Sequence, residues 1–162
     1  RSGAVDALGL VVKGVNKFNF QDSYWPHHIE SINDEETLRW LDSCISLVQT
    51  RPRPPGYAVL DGNEDLSPSK IQRLRDAAEA TWQSIQNRNT HELGDCINEV
   101  HEAQQALFSG YVSSEIQDLI SIAKEEVLGV KLAGAGGFGY MIQVAESPPD
   151  HAIRITSRRA EK

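Results

Sequence analysis

Lys131-Leu132-Ala133-Gly134-Ala135-Gly136-Gly137-Phe138-Gly139-Tyr140 sets four glycines in six residues between two apolar, strand-like runs. Glycine has no Cβ and reaches positive φ freely, so such a stretch can fold its backbone tightly. Successive amides in a turn of this kind can converge on an anion. The plainer alternative is a glycine-rich hairpin that only turns a corner. Gly134, Gly136 and Gly139 also spell G-x-G-x-x-G, but the dinucleotide fingerprint must open a helix. Here Tyr140-Met141-Ile142-Gln143-Val144 reads as a strand. A protein-kinase glycine loop does lie between strands, yet its lysine, catalytic loop and magnesium motif do not follow before Lys162.

Upstream of the loop, three amphipathic helices are predicted from apolar spacings of three and four. Ser67 as N-cap and Pro68 at the first position start one through Ile71, Leu74, Ala78, Trp82 and Ile85. Thr90 is expected to cap the second, with Leu93, Ile97, Val100, Ala103 and Leu107 on its buried stripe. Ser113 caps the third, over Ile116 to Val127, with Gly129 as its stop. Strands are expected at Val130 to Ala133, Tyr140 to Ala145 and Ala152 to Thr156, the last before a charged, solvated tail. Nearer the start, Asp6 to Phe20 reads as a short helix or turn followed by strand, and Tyr24 to His28 as a loop. Asn33 and Glu36 form a capping box for a short helix, and Ile45 to Thr50 reads as a strand. Arg51 to Gly56 holds three prolines and can only connect. This order gives an α+β fold with helices packed on one face of a small, largely antiparallel sheet.

The 162 residues suit one ordinary domain, with 40% hydrophobic and 24% charged residues. A net charge of -7 disfavours nucleic acid and anionic membranes as partners. Two cysteines, Cys44 and Cys96, are too few for a disulfide scaffold and read as reduced thiols of a cytoplasmic protein. No apolar run approaches the roughly 20 residues of a membrane helix. The chain opens at Arg1 within sequence that reads as folded, so a longer parent is expected.

The loop sequence resembles the third signature motif of the GHMP small-molecule kinases, usually K-L-T/A-G-A-G-G-G-G. Residues 131–137 and Gly139 match it, and Phe138 stands where the family has glycine. The three helices and the strand that precede the loop are similar to the family's ferredoxin-like C-terminal domain. Ser113-Ser114 occupies the place of a serine common there. Ser2-Gly3-Ala4-Val5-Asp6 with Gly14 resembles the family's S/G-G-x-x-D segment, although Ala7 replaces its usual Gln or Asn.

The resemblance implies a kinase that moves the γ-phosphate of ATP to a sugar hydroxyl, in its galactokinase, fucokinase or heptose-kinase branch. It implies Asp6 as catalytic base or orienting carboxylate. Taken alone, Asp6 reads as a helix cap or surface residue. Gly134, Ala135, Gly136, Gly137 and Gly139 are implied to bind substrate or phosphate. ATP and Mg²⁺ are the implied cofactors of the complete enzyme. The serine-rich phosphate loop P-x-G-x-G-x-S-S is absent from these residues, so residues 1–50 are expected to be the end of an N-terminal kinase domain with connecting strands. Residues 51–162 would be the C-terminal domain. Such a chain is expected to be inactive alone and to self-associate as a homodimer through Asp6 to Phe20. A non-catalytic remnant serving as a binding or assembly module is the alternative.

Other candidates are weaker. Trp25-Pro26-His27-His28 has no ligand partner at metal spacing, and His91, Cys96 and His101 do not share a helix face. Thr50-Arg51 only loosely matches the family's T-G-x-x-R. Arg51, Arg53, Arg154, Arg158 and Arg159 read as solvated.

Overall fold

The computed structural model describes residues 4–59 and 64–159. Its fold is α+β and its strand pairings are antiparallel. The main sheet joins β3 (Ile45–Gln49), β4 (Gly129–Leu132), β5 (Tyr140–Val144) and β6 (Ile153–Arg154) in the order β4-β5-β3-β6. The hairpin β4–β5 pairs Lys131 with Ile142 and Leu132 with Met141, so the glycine loop is its turn. Because β3 pairs with both β5 and β6, residues 45–49 share a sheet with the segment after residue 51. A separate ribbon pairs β1 (Val15–Asn19) with β2 (His28–Ile32).

Helix α3 (Pro68–Asn87) and helix α4 (Thr90–Leu107) form a hairpin, turned by Arg88 at φ 53°. Backbone sterics hold α4 against the sheet. A Cβ on Gly129 would lie 2.3 Å from the Gly94 carbonyl, and one on Gly94 would lie 2.7 Å from Leu128 Cβ. Only glycines allow that approach. At this close crossing Asn98 satisfies the outer edge of β4, accepting from Val130 N at 3.1 Å and donating to Leu128 O at 3.0 Å.

Two apolar clusters follow from the strand alternation. Val130 and Leu132, two residues apart, join Met141, Tyr111 and the Ile116, Ile120 and Ala123 stripe of α5 (Ser114–Ala123). Val144 joins Leu93 and Ile97 of α4, Ile85 of α3, and Leu41 and Cys44 of α2 (Glu35–Cys44).

Several sequence expectations shift here. Asp34, not Asn33, caps α2 by accepting from Thr37 N at 2.8 Å. Asn89, not Thr90, caps α4, and the Thr90 hydroxyl instead accepts from Trp40 Nε1 at 3.1 Å. Ser67 sits at the α3 N-cap without a side-chain bond. Helix α5 stops at Ala123, because Gly129 is needed at the start of β4. His28 begins a strand, β2, that its polar sequence HIESI did not announce. The last strand is only two residues long.

Arg154 and Arg158 are exposed as expected, yet residues 157–159 are also tied to the fold by hydrogen bonds and an ion pair. Asp42 Oδ1 accepts from both Ser157 N and Ser157 Oγ at 2.7 Å, and Asp42 Oδ2 pairs with Arg159 at 2.5 Å. Arg158 donates to the Leu10 carbonyl of α1 (Ala4–Val11), and its own carbonyl accepts from Gly14 N. Arg154 donates to the Pro148 carbonyl at 3.0 Å. Desolvation at the docked tail opposes the Asp42 charge, but the Ser157 and Arg159 bonds win and hold its carboxyl below the usual range.

The close crossing is testable. Gly129→Ala is expected to lower unfolding free energy by roughly 1–3 kcal/mol through overpacking against the Gly94 backbone. Gly9→Ala, in helix α1 with no neighbour within 4 Å of the added Cβ, is expected to be neutral or slightly stabilising. Urea denaturation of both variants checks this.

Candidate functional site

The glycine loop closes β4–β5 with Gly134, Gly136, Gly137 and Gly139 at φ between 57° and 108°. Its inner half is locked by contacts from distant parts of the chain. Gly136 lies so close on Tyr111 that a Cβ there would sit 2.2 Å from the ring, and one on Gly137 would sit 2.5 Å from the Tyr57 ring. Gly137 N donates to Tyr111 O at 2.7 Å, Gly139 N to Arg51 O at 3.0 Å, and Gly136 N to Ala133 O at 3.2 Å. Arg53 closes the clamp by donating to Gly136 O at 2.9 Å. Phe138, the departure from the motif, packs edge-on against Tyr57 at 5.0 Å.

The outer half differs. Among the described residues Gly134 N and Ala135 N have no hydrogen-bond partner, both residues are exposed, and a Cβ on Gly134 would meet nothing within 4 Å. Both residues line a small cavity of about 180 Å³ together with Val59, Gln104, Phe108 and Tyr111. Of the five loop residues that the sequence singles out, two therefore present free donors, and three serve the loop's shape.

Tyr111 is the pivot. It is 1% exposed, and its hydroxyl lies 2.8 Å from Gln104 Oε1 and 3.2 Å from Leu132 O. Burial pushes the phenol well above its ordinary range, so it stays a neutral donor. His101 stacks on it at 5.5 Å and finds no hydrogen-bond partner for either ring nitrogen. Desolvation lowers that imidazole to about 4, with Lys124 and Lys131 adding to the shift. It is therefore neutral at physiological pH. Lys131, at the start of the loop, bonds only Leu132 O at 2.8 Å, and burial lowers its ammonium to about 8.

Asp6 stands exposed in the first turn of α1. Its neighbour Val5 lines a different cleft, between β1 and helices α3 and α4, and Asp6 is not in the wall of the loop's cavity. Ser113 is engaged as the α5 cap, accepting from Ile116 N at 3.4 Å. Arg53 is exposed, as the sequence suggests, and its guanidinium also holds the loop through Gly136 O. Among the described residues no three His, Cys, Asp or Glu side chains gather where a metal could sit. No described helix is long and apolar enough to cross a membrane.

Sequence reasoning missed Tyr57 and Tyr111, the side chains that shape the loop. The available signal was the run of glycines itself, since two glycines that must avoid bulk imply large neighbours.

No family model matches the chain. It is 32% identical over 93 residues to the L-fucokinase/L-fucose-1-P guanylyltransferase of Bacteroides fragilis. The match covers 57% of this chain but only 10% of that protein, so the chain spans about a tenth of the length of the curated relative it matches.

Two glycines should separate shape from function. Gly136→Ala is expected to lower stability by roughly 2–4 kcal/mol, from the Tyr111 clash and the positive φ together. Gly134→Ala, which meets no neighbour, is expected to lose only the backbone term of about 1 kcal/mol. Thermal and urea unfolding of the pair checks the ordering.

Proposed function

We propose that this chain is part of an ATP-dependent sugar kinase of the GHMP type, whose parent transfers the γ-phosphate to a substrate hydroxyl. The observation that carries the reading is the pair of unengaged amides at Gly134 and Ala135, held open in a loop that fits the family's third motif. Two N–H donors with no partner among the described residues favour an anionic oxygen. The similarity to a fucokinase supports a sugar, and L-fucose in particular, as the acceptor.

In this reading Gly134 and Ala135 donate to a phosphate or substrate oxygen. Gly136, Gly137 and Gly139 keep the loop's path, clamped by Tyr111, Tyr57 and Arg53. Asp6 accepts the proton of the acceptor hydroxyl, or aligns it, once a partner domain completes the site. Among the described residues no three His, Cys, Asp or Glu side chains gather for Mg²⁺, which in this reading is held with ATP by the rest of the parent. The serine-rich loop that would hold the rest of ATP is not among these residues. The chain alone is therefore expected to release no ADP in a coupled assay with hexoses.

A second reading is a non-catalytic binding or assembly module. It is favoured by the placement of Asp6 outside the loop's cavity and by the internal satisfaction of the loop's other amides.

The test is kinetic, in a longer protein that contains this segment and phosphorylates fucose. Asp6→Ala is expected to lower kcat roughly 100-fold with the KM for ATP nearly unchanged. Gly134→Val is expected to lower kcat/KM roughly tenfold or more, because its β-branch shields the free amides at a position where a Cβ meets no neighbour. Wild-type kinetics in both folded variants would leave the module reading.

A further inference from the structure

The cleft between β1 and the α3–α4 hairpin is chemically unlike the loop's cavity. It has a volume of about 410 Å³, and its lining includes Phe18, Trp82, Ile85, Ile97 and Val100. That size and apolar character suit a small organic ligand. Its lining includes two lysines, Lys17 and Lys131, and no carboxylate. Lys17 is already neutralised, at 2.8 Å from Glu30 and 2.9 Å from Glu79. Lys131 is not. Strand alternation turns it away from the Val130 and Leu132 face toward this cleft. Its one hydrogen bond is to the adjacent Leu132 carbonyl, and it has no ion pair among the described residues.

An ammonium in apolar surroundings without a counter-ion is unfavourable, and the carboxylates near the cleft, Glu30 and Glu79, are both engaged by Lys17. We propose that this cleft binds a small apolar carboxylic acid, with the Lys131 ammonium as anchor for the carboxylate and the aromatic and aliphatic walls enclosing the tail. The charge pattern selects among ligands. A carboxylate removes the uncompensated charge, a neutral alcohol gains only burial of its tail, and a sugar would leave most of its hydroxyls against apolar walls. The depressed ammonium agrees with a site that has burial and no anion of its own. The proposal is independent of the kinase reading, because Gly134 and Ala135 line a different cavity.

Isothermal titration of the 162-residue chain with octanoate and with octanol tests it. Octanoate is expected to bind one-to-one and at least tenfold more tightly than octanol, a difference of about 1.4 kcal/mol or more. Lys131→Met, which keeps the stem and removes the charge, is expected to bring octanoate down to the octanol level and leave octanol unchanged. Should that variant fail to fold, Ala78→Trp carries the test, since residue 78 is exposed at the cleft and the indole would fill it. It is expected to abolish binding of both probes. Equal affinity of wild type for the two probes, no saturable binding of octanoate, or an unchanged preference in Lys131→Met overturns the proposal. Undiminished octanoate binding in Ala78→Trp overturns it as well.

Discussion

The contact of Tyr111 with Gly136 and Gly137 governs the rest of the site. One buried side chain lies under the loop, its own carbonyl takes the Gly137 amide at 2.7 Å, and its hydroxyl reaches back to Leu132 at the loop's entry. A loop with four positive-φ glycines has large conformational freedom when unfolded, and ordering it is entropically costly. Tyr111, Tyr57 and Arg53 supply the enthalpic and packing terms that offset this cost on the inner half. The outer half, Gly134 and Ala135, is left with fixed backbone and unused donors. Preorganised amides of this kind bind an anion without a further ordering penalty.

The same economy of bulk recurs where α4 meets β4. Gly94 and Gly129 bring backbone within backbone contact, and Asn98 then serves as the missing edge partner of Val130. That crossing places Ile97 and Val100 opposite Lys131, and so creates the apolar cleft with its unpaired ammonium. The net charge of -7 does not conflict with anion binding at either place, because local donors and excluded water dominate over distant, screened surface charge.

Periodicity and capping residues made α3, α4, α5 and the β4–β5 hairpin legible, since apolar stripes and glycine turns are local signals. The ribbon strand β2 was hidden because His28, Glu30 and Ser31 are polar, and its pairing with β1 is set by contacts across the ribbon. The caps at Asp34 and Asn89 were each displaced by one residue, because adjacent residues could cap equally well and only tertiary packing chose between them. The loop is legible in its run of glycines, whereas its division into a structural and an open half is not. That division depends on Arg53, Tyr57 and Tyr111, which are 83, 79 and 25 residues from Gly136 in the chain and carry no spacing signature. Asp6 is marked by the resemblance alone, and it stands exposed on α1, outside the wall of the loop's cavity.

Amide hydrogen exchange, resolved residue by residue by NMR across the loop, tests the central claim most directly. If Tyr111 and Arg51 hold the inner half, the amides of Gly137 and Gly139 exchange slowly, while those of Gly134 and Ala135 exchange near the rate of an unprotected peptide. Slow exchange at Gly134 and Ala135, or unprotected exchange at Gly137, would contradict the account, because the donors assigned to an anion would then be engaged or the clamp would not exist.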